Sequence, residues 1–139
     1  MISLEDKYAI QELISRFAHY SDYGAWDALP ALYTDDVVTE MDGQPVQYRG
    51  IAEQVSHARD SEAQTGGKNR HYYFNFVIDE IDGEVVALYM FANVNAGTNP
   101  MEGRFVVTGR GRDTVVKGAE GWKIARRRIT FDQYLLITS

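Results

Sequence analysis

A chain of 139 residues is close to the modal size of one domain and long enough to bury a sizeable core, so a single domain spanning residues 1–139 is expected. It has no cysteine, which excludes disulfides, thiolate metal ligation and thiol nucleophiles. A formal charge of −6 argues against a nucleic-acid partner, because the one basic cluster, Arg126-Arg127-Arg128, is too short to make a phosphate-binding surface. There is neither a basic segment followed by an apolar stretch at the N-terminus nor an apolar run of bilayer length, so a cytoplasmic protein without membrane contact is expected.

Ser3 or Asp6 is placed to cap a first helix, in which Ile10, Leu13, Ile14 and Phe17 recur along one stripe. At roughly 100° per residue, Asp22 falls about 120° from Ile10, on the flank of that stripe, where it overlooks a cavity without being sealed in the core. Gly24 ends the helix. The pattern predicts a second short helix from Ala25 to Tyr33, with Trp26, Leu29 and Leu32 as its apolar contacts, stopped by Thr34-Asp35-Asp36. Two short strands, Val37 to Met41 and Gln44 to Tyr48, flank the hairpin signal Asp42-Gly43. Gly50 opens a third helix, Ile51 to Ala63, ended by Thr65-Gly66-Gly67-Lys68.

From Asn69 the pattern changes to period two, rich in β-branched and aromatic residues, and predicts three long strands of about 12 residues each. Asp82-Gly83 joins the first two, and the Gly118 to Gly121 segment joins the last two. Gly103, Gly109 and Gly111 mark bends within strands or places where the backbone makes room. Helices followed by long antiparallel strands give an α+β architecture, a curved sheet wrapping the helices, with a cavity at its open end.

The chemistry-bearing residues are few. His71 heads the aromatic run His71-Tyr72-Tyr73-Phe74-Asn75, and strict alternation places it with Tyr73, Asn75 and Val77 on one face, opposite Tyr72, Phe74, Phe76 and Ile78. A carboxylate that fixes and charges an imidazole is a minimal acid/base unit, and Asp22 is the candidate carboxylate. His19 and His57, among polar residues on predicted helices, read as solvated. Three scattered histidines supply no metal shell, so no metal is expected. Gly109-Arg110-Gly111 lies inside a strand pattern, which excludes a nucleotide fingerprint. Arg127 faces opposite to Arg126 and Arg128 and shares its side with Ala125 and Ile129. It either enters the pocket to meet developing negative charge or anchors the strand. Tyr20, Tyr23, Tyr48, Tyr72 and Tyr73 are potential proton donors, Tyr73 foremost because it shares the side of His71.

Several ordered motifs carry a family resemblance. They are Ala9-Ile10 and Leu13, then Asp22-Tyr23-Gly24-Ala25-Trp26-Asp27-Ala28-Leu29, then Leu32-Tyr33-Thr34-Asp35-Asp36, and His71-x-x-x-Asn75. Gly109-Arg110-Gly111-Arg112-Asp113 and Gly121-Trp122-Lys123-Ile124-Ala125-Arg126-Arg127-Arg128 complete the set. The chain resembles SnoaL-like proteins of the NTF2-like superfamily over nearly its whole length, and is similar to the subgroup of scytalone dehydratase, bile-acid 7α-dehydratase and hexachlorocyclohexane dehydrochlorinase. That resemblance implies an α+β cone, a homodimer or higher homo-oligomer, and cofactor-free elimination. It also implies that Asp22 orients His71 as the base, and that Arg127 matches a pocket arginine. Phe17 stands where relatives often carry Tyr or Lys.

The expected function is therefore a cofactor-independent lyase of the dehydratase type, acting on a small apolar or cyclic substrate. His71 and Asp22 are its catalytic candidates, and Arg127, Tyr73, Asn75 and Phe17 its substrate contacts. A ketosteroid-isomerase-like isomerase or polyketide cyclase would use the same base. In a non-catalytic ligand-binding or assembly protein, the pair would be incidental.

Overall fold

Ser3 starts the first helix, α1 (Leu4–Asp22): its Oγ accepts the Asp6 backbone amide at 3.0 Å, while Glu5 and Asp6 place negative charge at the helix's positive end. The stripe Ile10, Leu13 and Ile14 is buried as its spacing requires, each such side chain contributing about 1.5–3 kcal/mol. The chain leaves the helix through Gly24, whose φ of 73° suits a residue without Cβ. The computed structural model describes residues 1–43, 47–97 and 103–133.

After α1 the chain differs from the predicted short helix. Only Leu29–Leu32 form a single 3-10 turn, burying Leu29 and Leu32, and strand β1 (Tyr33–Met41) begins four residues earlier than expected. Thr34, Asp35 and Asp36 are therefore strand residues, with both carboxylates exposed. The partner strand β2 (Gln47–Arg49) pairs antiparallel with β1; the first part of the predicted Gln44 to Tyr48 strand lies outside the described residues. Helix α2 (Gly50–Gln64) matches the expected helix within a residue at each end. It stops in a glycine cap: Gly67 N–H bonds Glu62 O at 2.8 Å and Gly66 N–H bonds Ala63 O at 3.1 Å, with both glycines at positive φ.

The predicted three long strands are four: β3 (Asn69–Ile81), β4 (Glu84–Asn95), β5 (Arg104–Gly118) and β6 (Gly121–Phe131). The middle stretch, read as one strand, is two, and Gly103 precedes β5 instead of bending it. Asp82-Gly83 and Gly118–Gly121 are turns as expected. The sheet order is β2-β1-β6-β5-β4-β3, with β1 and β6 parallel and every other pair antiparallel. Two helices against this mixed six-stranded sheet make the NTF2-like cone expected for the α+β class.

Gly109 and Gly111 make room for aromatic rings on the inner side of the sheet. A Cβ at Gly109 would collide with the Phe91 ring, and one at Gly111 with the Tyr89 ring; both aromatics cross from β4 over the neighbouring strand. The missing side chains let two large rings lie flat inside the cone.

Candidate functional site

Asp22 ends α1, and α1 packs on β3, so the last carboxylate of the helix meets the third residue of that strand. Asp22 Oδ1 lies 2.6 Å from His71 Nδ1, and Oδ2 accepts the His71 backbone amide at 2.8 Å. One carboxylate thus fixes both the backbone and the ring of the histidine. With Nδ1–H donating to Asp22, Nε2 is left as the acceptor, 3.5 Å from Asn69 Nδ2. Asp22 is 7% exposed and stands behind the ring, whereas His71 lines the cavity.

That cavity, about 870 Å³, lies between the concave sheet and α2. One part is apolar, with Phe17, Met41, Tyr73, Phe91, Ile129 and Phe131; the other holds Ser21, Glu62, Asn69, His71 and Asn93. Phe17 packs edge-on to His71, with centroids 5.6 Å apart, and its face carries the Arg127 guanidinium at 4.3 Å. The phenyl ring separates imidazole from guanidinium as well as lining the pocket.

Arg127 enters the interior but is already occupied. Its Nη2 meets Asp113 Oδ2 at 2.7 Å and its Nε meets both carboxylate oxygens at 3.0 and 3.2 Å, while Tyr89 Oη donates to Oδ1 at 2.9 Å. Arg127 is 4% exposed and Asp113 wholly buried. Burial alone would lower the arginine's pKa, but the Asp113 carboxylate, with Tyr89 and Tyr73 beside it, raises it well above the usual value. Burial pushes the phenols of Tyr73 and Tyr89 upward and that of Tyr33 to about 12, so all three remain neutral donors.

Other candidates fall elsewhere. Asn75 is not on the His71 face. Asn75 and Phe76 together oppose the single residue Tyr89, a β-bulge in which Asn75 takes a φ of 58°. Alternation reverses there, so Phe76 and Ile78 join the inner side, while Asn75 and Val77 point outward; Asn75 Nδ2 contacts Met90 Sδ at 3.2 Å. A second bulge makes Ala125 the extra residue in β6, so Ile124 is the buried neighbour on the side of Arg127. Tyr23 and Tyr72 are exposed, whereas Tyr48 and Tyr73 line the cavity.

Three cavity-lining residues escaped sequence reasoning. His57, expected in solvent, is a half-buried cavity residue stacked on Tyr48 with centroids 3.9 Å apart. Burial lowers its pKa, with the charge of His71 acting in the same direction and Asp60 opposing both. Asn69 and Glu62, 6% and 7% exposed, were hidden because they are polar residues at the ends of elements. On α2 the buried residues Gln54, Ala58 and Glu62 recur every four residues and line the cavity, a face too polar to be told from a solvated one by its sequence. Among the described residues, no cluster of three His, Asp or Glu side chains is arranged to hold a metal ion, and no helix is long and apolar enough to cross a membrane.

Comparison with known proteins agrees with this fold. Aln2 from a Streptomyces species is similar in structure with a TM-score of 0.83 at 19% identity, covering 94% of this chain and 93% of that one. A protein with a cystatin-like fold from Nostoc punctiforme gives 0.82 at 20% identity, covering 97% of each. ActVI-ORFA from Streptomyces coelicolor gives 0.78 at 17%, covering 91% of this chain and 96% of that one. No protein of curated function matches the sequence. The profile of the SnoaL-like domain matches residues 3–128, and the chain belongs to that family.

Proposed function

We propose that the protein is a cofactor-independent lyase of the dehydratase type, in which His71 abstracts a proton from carbon and Asp22 holds its ring and stabilises the imidazolium. The observation that carries this reading is the 2.6 Å contact on Nδ1, which leaves Nε2, with only the 3.5 Å approach of Asn69, as the acceptor of a histidine lining an 870 Å³ cavity. A cavity of that size is room for a small cyclic molecule, and it favours ligand binding over a packed assembly module. Tyr73 would contribute a neutral phenol beside the apolar part and Phe17 a wall, while Arg127, its charge balanced by Asp113, would line the pocket behind Phe17. Isomerase and cyclase chemistry would start from the same proton abstraction and are told apart by product.

The test is a panel of β-hydroxy ketones, aliphatic and aryl, followed by enone absorbance. Turnover that survives exhaustive chelation and dialysis, and falls by about 10²–10⁴-fold in His71→Ala, is expected. Loss on chelation with recovery on adding one divalent metal would overturn the cofactor-independent mechanism.

The same reading includes a two-fold dimer through the outer face of β3 and its neighbours. Tyr72, Phe74, Val77, Met90 and Phe105 are all exposed there, and Phe74 lies directly across from Met90. A contiguous apolar patch of this kind is an association surface. Sedimentation at micromolar concentration should give about twice 15.8 kDa; a monomer alone would contradict it.

A further inference from the structure

Among the described residues, three buried side-chain oxygens have no hydrogen-bond partner: Ser21 Oγ, Glu62 Oε1 and Asn93 Oδ1. All three residues line the cavity that holds His71. Buried polar atoms in folded proteins are almost always paired, so three unpaired oxygens on α1, α2 and β4, all from residues lining one cavity, mark polar groups that the protein itself leaves unsatisfied there. Glu62 is the only one of the three residues with an exchangeable acidic proton.

Its position is fixed by the fold. Glu62 lies in the last turn of α2, where its carbonyl accepts Gly67 N–H, and its carboxylate faces the Asn69 backbone amide on β3. From α1, Asp22 presents a like charge; from β3, Arg70 and His71 present positive or potentially positive groups. The arginine stands off: Nη1 is 3.5 Å from Oε1, while the same nitrogen donates to the carbonyls of Asn69 at 2.6 Å and Asp22 at 3.3 Å. Burial, reinforced by Asp22, raises the carboxyl's pKa above its usual value despite Arg70 and His71.

We propose that Glu62 is the proton donor of the site, delivering its carboxyl proton to the departing oxygen while His71 removes the proton from carbon. The inference rests on the elimination reading above. In that step His71 Nε2 takes the proton, the C–H electron pair becomes the new C=C bond, and the C–O bond breaks with its pair on oxygen. That oxygen takes the Glu62 proton and leaves as water. Imidazolium and carboxylate remain, and return of one proton through solvent restores both. Arg127 is held by Asp113, and the Tyr73 phenol is a far weaker acid, so neither competes for this role.

Two readouts separate this inference from the elimination reading. In protein labelled with ¹³C at glutamate Cδ, the resonance that disappears in Glu62→Gln should titrate above the ordinary glutamate value of ~4.3. In Asp22→Asn it should move back down, because a neighbouring negative charge has gone. Titration at or below the ordinary value overturns the donor, whatever the activity. The kinetic arm compares 4-hydroxy-4-phenylbutan-2-one with its acetate ester, whose leaving group needs no proton. The ratio of water loss to acetate loss should fall about 10²-fold in Glu62→Gln. An unchanged ratio removes Glu62 as donor and leaves it a positioning residue. Absence of enone from both probes in the parent protein counts against the elimination reading alone, and the titration then decides the proton on Glu62.

Discussion

Among the described residues, the polar groups around Arg127 and those around His71 form two buried clusters of similar residue types separated by the Phe17 ring. Around Arg127, the carboxylate of Asp113 meets two guanidinium nitrogens and the Tyr89 hydroxyl, so its capacity is taken up by protein. Around His71, Asp22 fills one ring nitrogen, but Nε2 has only the 3.5 Å approach of Asn69, and Glu62 Oε1 has no hydrogen bond. Saturated networks rigidify a core, whereas unsaturated groups on a cavity wall are those available to a substrate. The charge of a buried residue therefore says less about function than the number of its bonds already made.

The comparison breaks most visibly if the saturated cluster is opened. Asp113→Asn leaves Arg127 buried without its counter-charge, and stability should fall by about 3–5 kcal/mol in a urea titration. His71→Ala should instead act on chemistry, lowering turnover by about 10²–10⁴-fold with a much smaller shift in the urea midpoint. Asp22→Asn should lower turnover by about 10²-fold, because an amide cannot stabilise the imidazolium; parent-like turnover would remove Asp22 from the mechanism. Gly111→Ala sharpens the contrast by pushing the Tyr89 ring off Asp113, at a cost of about 1–3 kcal/mol.

A smaller effect concerns the far end of α1. Hydrogen bonds from Lys117, Trp122 and Ser3 hold the Asp6 carboxyl at about 2. Its folded pKa lies below the unfolded value of ~3.9, so its contribution is complete above that pH and is lost as pH falls through about 2. Asp6→Asn should flatten the pH dependence of the urea midpoint in that window and leave the His71 site untouched.

Much of this was legible in the sequence because it is local. The α1 stripe, the Gly24 stop, α2 and the Asp82-Gly83 turn follow from periodicity and turn chemistry within a few residues. What failed was counting along strands. Counting back from the Gly118–Gly121 turn pairs Asp113 with Arg126; the extra residue Ala125 shifts the partner to Arg127 and creates the buried ion pair. The bulge at Asn75 likewise exchanged the inner and outer sets of β3 from that residue onward. His57 and Glu62 were missed for another reason. A polar helix face is ordinarily assigned to water, and nothing local distinguishes solvent from a cavity enclosed by a distant part of the chain.

The account depends above all on His71 acting as a base at carbon, and deuterium uptake measures that without requiring the natural substrate. Cyclic and aryl ketones incubated with the protein in D₂O should exchange their α-protons, as followed by ¹H NMR. The account predicts enzyme-dependent exchange of at least one of them that disappears in His71→Ala; exchange of equal rate in parent and variant, or none in the parent with any of them, would contradict it.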